Sequence, residues 1–283
     1  MAGTVALVPP PVPPARPDGL GARALSAVIM APVALLAVWA GAPWLPILAA
    51  AAGGMMMWEW IRLTGSKISE RDRPLVIALA PLCVGLTSVH LPDLALVLAV
   101  AGGGLAAVLG KGDLVRRAWL GGGAIWISAA SAGFVWLRAD APGGGWQTLF
   151  WLLALVWAVD IAAYAAGRTL GGPKLAPRIS PKKTWSGLAG GVAGALIVGF
   201  FAARWLSPSG TGSLMIVSGV LALIEQGGDL AESYAKRRFG VKDSGNLIPG
   251  HGGLLDRLDG LLAVILALAA FLLVTDGYNL LWR

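Results

Sequence analysis

Long apolar runs alternate along the chain with short polar interruptions, most of them basic. Runs near the length of a membrane span, about 20 residues with a range of roughly 17–25, fall at approximately 24–40, 44–61, 74–89, 92–110, 118–137, 147–167, 185–206, 213–235 and 258–275. None shows the period-2 alternation of a barrel strand. Lipid admits only helices or closed barrels, so each run predicts a helix and strands are excluded from the spans. The pattern predicts an all-α, polytopic integral membrane protein of about nine transmembrane helices. Only Gly41-Ala42-Pro43-Trp44 separates the first two runs, which also allows one broken or re-entrant hairpin.

Composition supports the membrane reading. Of the 283 residues, 57% are hydrophobic and only 13% charged, against about 25% charged in soluble domains. That excludes a soluble globule, a disordered chain and a disulfide scaffold; the single cysteine, Cys83, reads as a small buried side chain. Forty glycines and thirteen tryptophans suit close helix packing and interfacial anchoring. The net charge of +7 is explained by topology. With the N-terminus inside, all of the 22 basic residues except Arg138, Arg204 and Arg283 fall on the cytoplasmic side. Nucleic acid is therefore not an expected partner. The expected location is the inner (plasma) membrane, multi-pass, with the basic loops in the cytoplasm and the C-terminus outside.

Residues 1–22 contain Pro9-Pro10-Pro11 and Pro13-Pro14 with no basic n-region, and read as a disordered Pro-rich cytoplasmic tail rather than a signal peptide. Residues 23–145 read as N-terminal scaffold helices, and 146–283 as the catalytic region, because the intramembrane polar groups concentrate there. Asp160 lies inside a span, with Tyr164 near the same face. Glu225, Asp229 and Glu232 recur at helical spacing, continued by Ser233 and Lys236, and Asp256 and Asp259 stand three apart at the start of the last helix. An ionised carboxylate near lipid costs at least a few kcal/mol and needs a partner or a cavity. Taken singly, each acid fits an ion pair or a helix cap; taken together, from three helices beside a basic loop, they point to a site. Oxygen ligands of this kind suit a hard cation such as Mg²⁺.

Two loops add anion chemistry. Ser180-Pro181-Lys182-Lys183-Thr184 precedes a helix start, so ammonium groups, hydroxyls and free backbone N–H groups could cradle a phosphate, or could merely hold the loop on the cytoplasmic side. Pro249-Gly250-His251-Gly252-Gly253 can bring backbone amides close to a ligand. Lone His251 suits a phosphate or water contact better than a metal, and His90 is incidental.

The stretch Ser233-x-x-Lys236-Arg237, Lys242-Asp243-x-Gly245, Pro249-x-His251-Gly252-Gly253-x-x-Asp256-Arg257-x-Asp259 resembles the signature of the phosphatidate cytidylyltransferase family. Asp160-x-x-Ala163-Tyr164 and Ser180 to Thr184 match in the same order. The likeness is strong over about 160–187 and 228–260; the N-terminal half shares only the pattern of spans. It implies transfer of the cytidylyl group of CTP to phosphatidate, giving CDP-diacylglycerol and pyrophosphate in phospholipid biosynthesis. On that basis Asp229 and Asp256 are the expected main metal ligands, with Asp160, Asp243 and Asp259 next, for Mg²⁺ with a second cation as an option. Lys236 and Arg257 join Asp229 and Asp256 as expected catalytic groups. Ser180, Lys182, Lys183, Thr184, Arg237, Lys242, His251, Gly252 and Gly253 are expected to contact substrate. Ser186 departs from the family, which often has Glu there; it is expected to cap the next helix. Alternatives are a CTP-dependent lipid or polyprenol kinase, and an ion-coupled transporter, whose polar groups would reach across the membrane. The glycine-rich spans leave room for a homodimer.

Overall fold

The computed structural model describes residues 20–139, 145–206, 211–245, 247 and 252–275. The expectations for the Pro-rich tail up to residue 19 and for His251 lie outside them. The described helices are α1 (Leu20–Ala40), α2 (Trp44–Thr64), α3 (Arg73–Ser88), α4 (Pro92–Leu109), α5 (Leu114–Ala139), α6 (Gly145–Thr169), α7 (Trp185–Leu206), α8 (Thr211–Arg238) and α9 (Leu255–Val274). Each coincides with one apolar run to within a few residues, because hydropathy marks where backbone must satisfy itself.

Nine helices stand among the described residues where nine spans are predicted, and six of them, α4 to α9, have the length and hydropathy of a membrane span. Of the others, α3 has only 16 residues, and α2 carries Glu59 and Arg62 near its C-terminal end. The chain is not purely α. A two-stranded antiparallel hairpin, β1 (Lys174–Ala176) and β2 (Ser180–Thr184), stands between α6 and α7, pairing Lys174 with Thr184 and Ala176 with Ser180. It lies outside the helical spans, where the bar on open sheet edges does not apply.

Close backbone approach holds α6 to α7. A Cβ on Gly194 would lie 2.9 Å from Ala162 Cβ and 3.0 Å from the Ala158 carbonyl, so Gly and Ala line the seam. Such small-residue contacts are how membrane helices gain van der Waals packing without a hydrophobic drive between them. Helix α9 sits between two apolar clusters. Its Leu261, Val264, Ile265 and Leu268 pack with α6 to α8, while Leu255 and Leu262 pack with α2 to α5. Facing outward are large apolar side chains such as Val97, Val100, Leu105, Ile161, Ile197 and Phe201, suited to lipid rather than water.

The basic loops gather at one end of this bundle. Lys111 donates its backbone N–H to the Lys67 carbonyl at 2.9 Å, and the Arg116 guanidinium donates to the Thr64 carbonyl at 2.9 Å. Arg116 also lies 5.6 Å over the Phe239 ring, and Arg237 donates to the Ile179 carbonyl at 3.3 Å. The α2–α3, α4–α5, α6–α7 and α8–α9 connections are thereby linked in one layer. At the opposite end, Arg138 binds the Val38 carbonyl at 2.7 Å, and Trp146 meets Trp205 edge-on with centroids 5.4 Å apart.

Replacing Gly194 by Leu should drive a side chain into the α6–α7 seam. Loss of about 1–3 kcal/mol is expected from overpacking, read as a lower melting temperature in detergent beside a normal melt for Gly104→Leu, a position with open space around it.

Candidate active site

The site begins with β2. Burial rises toward the α7 end of the strand: Pro181 and Lys182 are exposed, Lys183 is half-buried and Thr184 is buried. Lys183 Nζ reaches Asp229 Oδ2 on α8 at 2.6 Å and donates to Gln226 Oε1 at 2.9 Å. Gln226 in turn donates to Glu225 Oε2 at 2.8 Å. Ser233, one turn beyond Asp229, donates to its Oδ1 at 3.2 Å. Both Asp229 oxygens are therefore held, one by an ammonium and one by a hydroxyl. Asp160 of α6 and Asp259 of α9 lie within Coulombic reach of Asp229 and Lys183. Three helices and the hairpin thus bring more carboxylate than ammonium charge to one place.

A second cluster lies toward the end of α8. Lys236 forms ion pairs with Glu232 on its own helix and with Asp256 Oδ1 on α9, the latter at 2.7 Å. All three are largely buried, Glu232 completely. Asp256 also accepts the backbone N–H of Gly253 at 2.8 Å and of Ser244 at 2.9 Å on Oδ2. It therefore fastens two stretches of the connecting loop together. Gly252 adopts φ +84°, open to glycine but not to ordinary side chains, and a Cβ there would lie 3.0 Å from Asp256 Oδ2 and 3.7 Å from Asp243 Cβ.

The predicted site residues are largely brought together. Asp160, Asp229, Lys183, Asp256, Asp259, Lys236 and Gly253 belong to these two adjoining clusters. Lys182, Arg237, Lys242, Asp243 and Arg257 are exposed around them, and Ser180 is half-buried at the start of β2. Thr184 is buried: its Oγ1 accepts the Gly187 N–H at 3.0 Å, making it the N-cap of α7. The cap expected of Ser186 is corrected accordingly. Ser186 lies inside the first turn and donates its hydroxyl to the Gly171 carbonyl, tying the hairpin to the helix.

Among the described residues, no three His, Cys, Asp or Glu side chains converge closely enough to form a metal-ligand group. The donor set nevertheless suits a hard cation, because Lys183 and Lys236 already place ammonium groups at Asp229 and Asp256.

One buried acid escaped the sequence reading. Glu59 of α2, wholly buried, accepts the backbone N–H of Leu254 at 2.9 Å and of Leu255 at 2.8 Å, and the Ser244 hydroxyl at 3.4 Å. The signal that would have found it is the one applied to Asp160: a carboxylate in an apolar run, here between Trp58 and Trp60.

Intramembrane carboxylates, buried lysines and a glycine loop at one end of a helical bundle define a membrane enzyme equipped for anionic substrates. Residues 21–275 match the cytidylyltransferase family, and the chain belongs to it. It is 38% identical to the phosphatidate cytidylyltransferase of Brucella suis over 255 residues, 90% of this chain and 93% of that protein. The Pseudomonas aeruginosa phosphatidate cytidylyltransferase is 36% identical over 266 residues, 88% of this chain and 96% of its own. A Rickettsia bellii protein of the same name reaches 50% over 128 residues, 43% of this chain and 55% of its own.

Lys183→Met should cut kcat/KM for CTP by about 10-fold or more, the scale of losing one preorganised electrostatic contact, whereas exposed Lys182→Met changes it only a few-fold. Parallel steady-state kinetics check this. Thr184→Ala should cost about 1 kcal/mol of stability by removing the α7 cap; thermal melts of Thr184→Ala and Ser186→Ala, with the smaller loss in the second, test which residue is the cap.

Proposed function

We propose that the chain transfers the cytidylyl group of CTP to phosphatidate, releasing pyrophosphate and leaving CDP-diacylglycerol in the membrane. A phosphate oxygen of phosphatidate attacks the α-phosphorus of CTP as the bond from that phosphorus to the β-bridging oxygen breaks. The attacking phosphate is already ionised, so no general base is needed. Catalysis then consists of alignment and charge compensation.

The observation that carries this reading is the junction of the charged clusters with an apolar groove. A cavity of about 700 Å³ opens between α5 and α8, walled by Trp60, Trp119, Trp126, Gly123, Gly228 and Ala263. Gly228 adjoins Asp229, and Ala263 stands one turn from Asp259. A lipid with its chains in such a groove would carry its phosphate toward the charged end without leaving the bilayer. A transporter would need polar groups across the whole thickness. Here Asp160 and Asp229 each stand nine residues from the loop end of their helix, roughly 14 Å at 1.5 Å per residue, and Asp256 and Asp259 are nearer still.

Exposed Lys182, Arg237, Lys242 and Arg257 would gather the nucleotide polyphosphate, with Ser180 and the Gly252-Gly253 amides as polar contacts. Mg²⁺ would be held by Asp229 and Asp256, with Asp160, Asp243 and Asp259 completing the acidic set, and it supplies Lewis acidity and charge neutralisation at the phosphates. Lys183, whose pair with Asp229 is the more accessible of the two, would then be the lysine that meets a phosphate oxygen, while Lys236 keeps Glu232 and Asp256 in place. The positive-inside pattern orients this end toward the cytoplasm, the side that holds CTP; the bacterial relatives suggest the inner membrane.

The test is purified protein with phosphatidate in mixed micelles, Mg²⁺ and each nucleoside triphosphate in turn. CTP should yield CDP-diacylglycerol and pyrophosphate in equal amounts, with turnover abolished by chelator and restored by Mg²⁺. Formation of CDP and a newly phosphorylated lipid would instead make the chain a kinase and overturn the proposal.

A further inference from the structure

Glu59 has no part in the transfer chemistry just described, yet its surroundings are costly to build. A carboxylate inside an apolar helix needs compensation of several kcal/mol. Glu59 obtains it from a segment about 190 residues away in sequence. Oε1 accepts the Leu254 N–H and Oε2 the Leu255 N–H, two of the amides that the first turn of α9 leaves without intrahelical partners. The negative charge also complements the positive end of the α9 dipole. Oε2 further takes the Ser244 hydroxyl.

Asp256 grips the same two stretches from the other side, through the amides of Ser244 and Gly253. The pieces of loop around residues 244 and 253 are therefore pinched between two carboxylates on different helices. The glycines follow from this pinch. A Cβ on Gly245 would fall 2.6 Å from Glu59 Oε1, and one on Gly253 would fall 2.8 Å from it, so a larger residue at either position would push the Glu59 carboxylate from its place.

We infer that Glu59 is a positioning residue of the transferase site: from α2 it sets the start of α9 and the glycine loop, and through them aims Asp256 and its partner Lys236. An uncharged cap could end α9 with less desolvation. A bidentate anion does what such a cap cannot, because it fixes two successive amides and the loop hydroxyl in one geometry. The N-terminal helices thereby take a direct part in shaping the site. The inference rests on the cytidylyltransferase reading only for its kinetic arm.

The experiment compares wild type with Glu59→Gln in detergent by melting temperature, steady-state kinetics and amide hydrogen exchange. Gln keeps the size but turns an N–H₂ toward one of the two amides. Expected are a melting temperature close to wild type, faster exchange confined to peptides covering residues 244–256, and a kcat lower by about 10²-fold, the scale of a small misplacement near the chemistry, with KM for CTP changed much less. Should Gln not fold, Glu59→Asp, which keeps the charge and withdraws it by one methylene, must show the same exchange pattern and a smaller loss of kcat. Unchanged exchange at 244–256, or a kcat within about two-fold of wild type, overturns the inference. Local exchange that rises in the variant while wild type makes no CDP-diacylglycerol would uphold Glu59 as the loop anchor and count against the assigned reaction alone.

Discussion

Lys236 carries a full positive charge in a largely buried position, and the architecture of the charged end depends on how that charge is met. One partner, Glu232, comes from the preceding turn of α8; the other, Asp256, comes from the first turn of α9. The intrahelical pair forms as soon as α8 does, but it leaves Asp256 to be brought in by the loop. A buried ion pair seldom adds net stability, whereas a buried charge without its partner is strongly unfavourable. The bridge therefore acts as a constraint of placement: α8 and α9 must meet at this depth and in this register. The loop between them then has little freedom, because its Ser244 and Gly253 amides also converge on Asp256.

The Asp229–Lys183 cluster follows the same rule at lower burial. Asp229 keeps 30% of its side chain accessible, and its partner Lys183 keeps 17%. Solvent or substrate can reach this pair, and a partly screened ion pair is cheaper to open than a buried one. The two lysines thus divide the work by depth. Lys236 secures the geometry of the α8–α9 junction, while Lys183, on a short hairpin strand, is the one placed to change partners. The hairpin is itself fastened at both ends, by the Thr184 cap on α7 and by the Ser186 hydroxyl on Gly171.

Hydropathy made the helices legible because a span leaves a long, uniform trace, and the carboxylates in the second half stood out against it. The hairpin left no such trace: Ser180-Pro181-Lys182-Lys183-Thr184 has too few apolar positions for a pattern to show, and what separates Lys183 from Lys182 is its contact with Asp229 and Gln226 on α8. The cap was misplaced by two residues because Thr184 and Ser186 are both good N-caps, and only the backbone decides which precedes the first turn. Glu59 was missed for a different reason. Its meaning lies in contacts 185 to 196 residues away, and a single acid in the N-terminal half gives no spacing pattern to read. The Asp residues were legible as a group, but their division between loop anchoring and cation binding depends on which oxygens are already occupied.

That long reach has a consequence for how the chain is made. Glu59 is synthesised with α2, while Leu254 and Leu255 follow 195 and 196 residues later. At about 5–20 residues per second, the nascent chain spends on the order of 10–40 s with this carboxylate waiting for the amides that will hold it. In that interval the acid must stay protonated, remain near the aqueous boundary or borrow a partner from the insertion machinery. A chain that ends before α9 would lack the Leu254 and Leu255 amides, and its Glu59 would be without the partners that hold it in the full bundle.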